Sequence, residues 1–95
     1  MAKYVCDFDE VKSNGEKLCQ IANELSSAIN TYSSSIDSTL STWQGSAAET
    51  FKQSNSKQVQ TSTTNAKYIN SLGEFVKQAA ESIENLDNEL ASLSI

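Results

Sequence analysis

The sequence predicts an all-α fold, a single two-helix antiparallel hairpin. Three observations lead there. Proline is absent and only three glycines occur in 95 residues, so long helices are not interrupted. Both halves of the chain repeat their apolar residues at alternating spacings of three and four. Midway, a glycine is followed at once by a helix-start pattern. The expected layout is one domain over 1–95, with a helix at about 7–41, a turn at about 42–46 and a second helix at about 46–93.

The first helix should begin at Asp7, with Glu10 three residues on and an acid-rich first turn that suits the helix dipole. Phe8, Gly15, Ala22, Ile29, Ile36 and Trp43 share one heptad position. Val11, Leu18, Leu25, Tyr32 and Thr39 follow three residues after, and Ile21, Ala28 and Leu40 widen the stripe. Gly45 can take the positive φ that ends a helix or turns the chain. Ser46 followed by Glu49 reads as a capping box that opens the second helix. That helix carries Phe51, Val59, Ala66, Ile69, Leu72, Val76, Ala79, Ile83, Leu86, Leu90 and Leu93. Its stripe is thin between Phe51 and Ile69, where Asn55, Gln58, Ser62 and Asn65 take apolar positions. Thr61–Thr64 and Tyr32–Ser35 are weak helix formers, and helix is expected through both.

A turn centred near residue 44 makes facing residues sum to about 88. Ile29 then meets Val59, Leu18 lies beside Ile69, Val11 beside Val76, and Phe8 faces Ala80. Ala22 meets Ala66 and Gly15 meets Gly73, which suggests close backbone approach or a notch for a partner's side chain. Two helices meet along one seam only, so each keeps an apolar flank that a partner should cover. The interface candidates are Phe8, Val11, Leu18, Leu25, Ile29, Ile36, Phe51, Val59, Ile69, Val76, Ile83, Leu86 and Leu90.

Composition excludes several classes. The net charge is −5 and all seven cations are lysine. An acidic chain without arginine is a poor ligand for nucleic acid. Histidine is absent, which removes the commonest general base and metal ligand. No nucleophile–base pair or metal cluster can be assembled, so no enzyme, cofactor or metal is expected. No run approaches the ~18 apolar residues of a transmembrane segment. The start, Met1–Glu10, lacks the apolar core of a cleaved signal peptide. Glu81, Glu84, Asp87 and Glu89 lack the ordered spacing of a calcium loop and read as a solvated helix face. Cys6 and Cys19 would lie ~20 Å apart on one helix, too far for a bridge within the chain. They are expected as free thiols, with a disulfide between chains as the alternative.

Trp43-Gln44-Gly45, mid-chain between two heptad-patterned arms and followed by Ala47, Ala48 and Phe51, resembles the WxG family. These are small helical hairpins exported by bacterial type VII secretion systems, similar to the early secreted antigen proteins of mycobacteria. The resemblance covers the whole chain. It implies a four-helix bundle, homodimeric or with a related hairpin partner. It also implies export into the extracellular medium as a folded dimer, without a cleaved signal. Members act as secreted effectors, or escort larger toxins or sister proteins to the secretion ATPase. Trp43 and Gly45 map onto the motif. The family's Tyr-x-x-x-Asp/Glu export signal is missing: Tyr4, Tyr32 and Tyr68 are followed four residues on by Phe8, Ile36 and Leu72. A partner then supplies the signal, or a different one is used. The competing reading of the residues is a structural coiled-coil subunit with no export role.

Trp43 itself has two readings, a lid on the core with its N–H on a nearby carbonyl, or a recognition surface. The second helix should outlast the first beyond roughly residue 81. Because Ile83, Leu86, Leu90 and Leu93 keep the apolar rhythm there, this overhang should pack on a partner or on Tyr4 and Val5.

Overall fold

The computed structural model describes residues 7–93. Two helices fill it: α1 spans Phe8–Leu40 and α2 spans Ser46–Leu93. They run antiparallel as a rod of 77 × 20 × 17 Å.

Asp7 caps α1 from an extended conformation, and its Oδ1 accepts the Glu10 N–H at 3.0 Å. This satisfies one of the amides a helix start leaves unpaired. At the other end the Ser41 N–H donates to the Asp37 carbonyl, and the Trp43 N–H to the Leu40 carbonyl. Gly45 has φ = 109°, the one positive φ among the described residues. Its carbonyl then accepts the Glu49 N–H at 3.1 Å. Gly45 thus occupies the capping position, and the expected Ser46–Glu49 capping box does not form. Ser46 is already the first helical residue. Its carbonyl accepts the Thr50 hydroxyl, and the Glu49 carboxylate turns to Lys52 at 3.4 Å. With Gly45 holding the turn, the chain enters α2 one residue too early for Ser46 to cap it.

Both Ser/Thr stretches lie within helices, and in the second the threonine hydroxyls bond back along the helix. Thr63 Oγ1 donates to the Val59 carbonyl at 2.8 Å, and Thr64 Oγ1 to the Gln60 carbonyl at 3.0 Å. This gives the polar side chain a partner without breaking the ladder.

The seam between the helices is made of small residues. Gly15, Cys19, Ala22, Ile29 and Leu40 are buried on α1, and Ala48, Ala66, Gly73 and Ala80 on α2. At the Gly15–Gly73 level the backbones interlock. A Cβ on Gly15 would lie 2.9 Å from the Gly73 carbonyl oxygen, and one on Gly73 would lie 2.7 Å from that of Gly15. The expected sum of 88 therefore holds at this contact, and close approach is the reason for the paired glycines. The cost of two helix-interior glycines, ~1 kcal/mol each, is offset by helix contact that no larger residue permits. No bulky side chain reaches full burial among the described residues. The hairpin is a thin seam, and most of its large apolar side chains lie outside it.

Candidate partner-docking face

Successive residues turn 100° about a helix, so the neighbours of each seam residue fall on opposite flanks. On α1, Lys12 and Cys19 lie to one side of the seam, and Val11, Leu18 and Leu25 to the other. On α2, Asn70, Lys77 and Glu84 lie to one side, and Ile69, Val76 and Ile83 to the other. The polar flanks meet across the helices. Lys12 Nζ reaches Glu84 at 3.0 Å, and Lys77 Nζ reaches Glu16 at 2.9 Å and Glu74 at 3.1 Å. The buried Cys19 thiol lies 3.4 Å from Glu74 Oε1. These bridges place both polar flanks on one face of the hairpin. Both apolar flanks therefore share the opposite face.

The polar face is electrostatically settled. Hydrogen bonds from Lys77 and then from Cys19 hold the Glu74 carboxyl below its ordinary range. Contact with Glu16 and Glu74 raises Lys77, and Glu84 raises Lys12. Burial, reinforced by Glu74, pushes the Cys19 thiol upward, which keeps it protonated and poorly nucleophilic. Cys6 lies outside the described residues, as do Tyr4 and Val5. Nearer the turn this face opens into a shallow groove of about 400 Å³ lined by small polar side chains such as Ser33, Ser41 and Ser56. Among the described residues no group of three or more Cys, Asp or Glu is arranged to hold a metal.

The apolar face is the larger resource. Phe8, Val11, Leu18, Leu25, Ile36, Val59, Ile69 and Val76 are half-buried. Ile29 is buried in the hairpin's own seam and offers little to a partner. Phe51 is exposed, and Ile83, Leu86, Leu90 and Leu93 all show more than half of their surface. The overhang begins later than expected, since Lys12 still reaches Glu84 and Ala80 is buried. Every described residue from Asn85 onward is exposed.

Tyr68 at 65% exposed and Phe75 at 67% form, with Leu72 between them, a further apolar edge on α2. They were not among the interface candidates. Their spacing of seven, bisected by Leu72, was the available signal, but they sit one position outside the main stripe.

At the end of the rod Trp43 and Phe51 pack ring against ring, with centroids 5.9 Å apart and planes tilted by 50°. Both stay about half exposed, at 49% and 44%. Trp43 is therefore no lid on the hairpin's own core. Lys52 Nζ donates to the Trp43 carbonyl at 3.4 Å, tying the turn to the first coils of α2. Gly45 bends the chain so that the indole comes back over Phe51. Nothing lies within 4 Å of where its Cβ would be, so conformation and not crowding demands glycine there.

A two-helix hairpin with a Trp-x-Gly turn, a small-residue seam and one uncovered apolar face is the kind of small helical protein that works through other helices. The chain belongs to the WXG100 family, described as proteins of 100 residues with WXG, which it matches over residues 3–88. Proteins of this family are small, helical, non-enzymatic and secreted by type VII systems. Neither a curated protein nor a solved structure was found to match the chain. Among the described residues no helix is long and apolar enough to cross a membrane.

Proposed function

We propose that this chain is exported by a type VII secretion system as a folded dimer, as an effector or as the escort of a partner protein. The observation that carries the reading is the uncovered apolar face, on a chain whose family match runs through both helices and the Trp-x-Gly turn. Half-exposed aliphatic side chains along both helices are costly to leave in water. A second helical hairpin is the cover that matches their spacing in a four-helix arrangement. The exposed Trp43–Phe51 pair at the turn offers a distinct surface to a secretion component such as the ATPase.

The test is made in the native host. The protein is followed by mass spectrometry in cells and medium, with and without the secretion ATPase. Appearance in the medium only when the ATPase is present is expected. Equal distribution in both strains would refute export by this route and leave a structural coiled-coil subunit.

A further inference from the structure

An asparagine followed by glycine is a place where a main chain can modify itself. The glycine nitrogen attacks the side-chain amide carbon, and a residue without Cβ hinders that approach least. Asn14–Gly15 is the one such pair in the sequence. It lies inside α1, about two turns from the Asp7 cap. Asn14 is exposed and Gly15 is buried. The docked helix holds the reaction off in two ways. Helical geometry commits the Gly15 N–H to the Val11 carbonyl, and the helical ψ at Asn14 keeps its amide carbon away from the Gly15 nitrogen. Turning that ψ would also swing Gly15 off Gly73, where the two backbones interlock. The reaction therefore needs the start of α1 to come away, with loss of the Asp7 cap, the Lys12–Glu84 pair and the glycine contact. Little holds that stretch: Phe8, Val11 and Leu18 are only half-buried, and Gly15 and Cys19 are the buried residues nearest the cap. Helix ends with so few buried contacts open more readily than the whole molecule.

We propose that Asn14–Gly15 is a spontaneous modification site, closed while the start of α1 is docked and open when it lifts, whose isoaspartyl product keeps the helix from closing again. In the first step the Gly15 nitrogen bonds to Asn14 Cγ and the Cγ–Nδ2 bond breaks. Nδ2 leaves as ammonia with the Gly15 amide proton, and a succinimide ring remains. Water then opens the ring on either side. Opening at the former side-chain carbonyl restores a normal main chain with aspartate at position 14. Opening at the main-chain carbonyl routes the chain through the old side chain, as isoaspartate with one more methylene in the backbone. That methylene puts the amides on its two sides out of step with their helical acceptors. It falls beside Gly15, at the level where α1 and α2 come closest. A chain whose α1 has once opened for long enough is thereby marked, and the mark holds the segment ahead of Gly15 off α2.

The purified full chain is incubated at mildly alkaline pH, folded and in urea, and peptide mapping by mass spectrometry follows each asparagine. In urea Asn14 should convert first, ahead of Asn30, Asn55 and Asn70, which precede threonine or serine. In the folded chain its conversion should slow about tenfold or more, by the fraction of time that α1 is open. Asp7→Ala removes the cap without touching the reacting pair and should speed the folded reaction severalfold. Gly45→Asn, at the far end of the rod, should leave the rate near that of the parent. Circular dichroism of the isolated isoaspartyl product should show lost helix, whereas Asn14→Asp, with the same charge on a normal main chain, should keep it. Equal rates in the folded chain and in urea would overturn the proposal. So would an Asp7→Ala rate no higher than that of Gly45→Asn, because the start of α1 would then not be the gate. An isoaspartyl chain as helical as the parent would overturn the claim that the product holds α1 open.

Discussion

At the scale of single residues, the glycines divide by mechanism. Gly15 and Gly73 are held by contact, because a Cβ on either would press on the other's carbonyl. Alanine at each gains ~1 kcal/mol in helix propensity, but overpacking costs ~1–3 kcal/mol. Gly73→Ala is expected to be the worse, since its Cβ would lie 2.7 Å from both the Gly15 carbonyl oxygen and the buried Cys19 sulfur, whereas the 2.7 Å contact of a Cβ on Gly15 is with Cγ of the longer, more flexible Lys77 side chain. Thermal unfolding followed by circular dichroism should show a lower Tm for both, and a rise in either would refute the close-contact account. Gly45 is held by conformation alone. Gly45→Val is expected to cost ~1–3 kcal/mol through its positive φ, and Gly45→Asn less, because asparagine tolerates that region better. Equal melting of the two variants would show that strain is not the cause. Trp43→Ala should cost only about 1–2 kcal/mol in the hairpin, since half the indole is already in water. Its larger effect should be on dimer formation or export, so one variant measured for Tm, sedimentation and secretion separates the roles.

At the scale of elements, both helices and the turn were legible. The Asp7 cap, the heptad rhythm and Gly45 fixed where α1 starts, how it continues and where it stops. The sum of 88 was legible too, because pairs of small residues can meet only where backbones approach. The Ser46–Glu49 box was misread. A glycine with positive φ just before a serine takes over the capping position, and no residue type in the pattern reveals that choice. The share of the stripe taken by the seam was also hidden. Heptad phase says which residues lie on one side of a helix, but the rotation of that side toward the neighbour depends on which residues let the helices come closest. Small residues won, so the aliphatic ones were turned outward and Tyr68 and Phe75 went unnoticed. The overhang supplies a test at this scale. Truncation after Glu84 keeps the Lys12 pair yet removes Leu86, Leu90 and Leu93, each worth ~1.5–3 kcal/mol if covered. Sedimentation should show a markedly weaker dimer. Unchanged dimerisation with lost export would instead make the overhang a signal tail.

At the scale of the whole molecule, stability should be flat around neutral pH and fall at both extremes. Glu74 is held below its ordinary value of 4.5, so the folded form favours its charge. That contribution is present above about pH 4.5 and is lost as the pH drops through the lowered value. Lys12 and Lys77 are raised above 10.5, and Cys19 above 9.0. Their contributions are present below those values and disappear as the pH climbs through the raised ones. A Tm profile between pH 3 and 11 should show a plateau with two shoulders. Lys77→Met should blunt the alkaline shoulder, and an unchanged profile in that variant would remove the Glu16–Lys77–Glu74 cluster as its source.

The small-residue seam has a consequence for transport. By filling most of the space between its helices with small residues, the hairpin holds its girth to 20 × 17 Å over a length of 77 Å. Threaded lengthwise, a needle of that proportion needs an aperture scarcely wider than two helices side by side. Stacking two hairpins face to face roughly doubles one of those widths and leaves the other alone. Under the proposed export of a folded pair, the passage would be a slot more than a round hole, and wedging the seam open by replacing Gly15 or Gly73 would change the gauge of the object as well as its melting point.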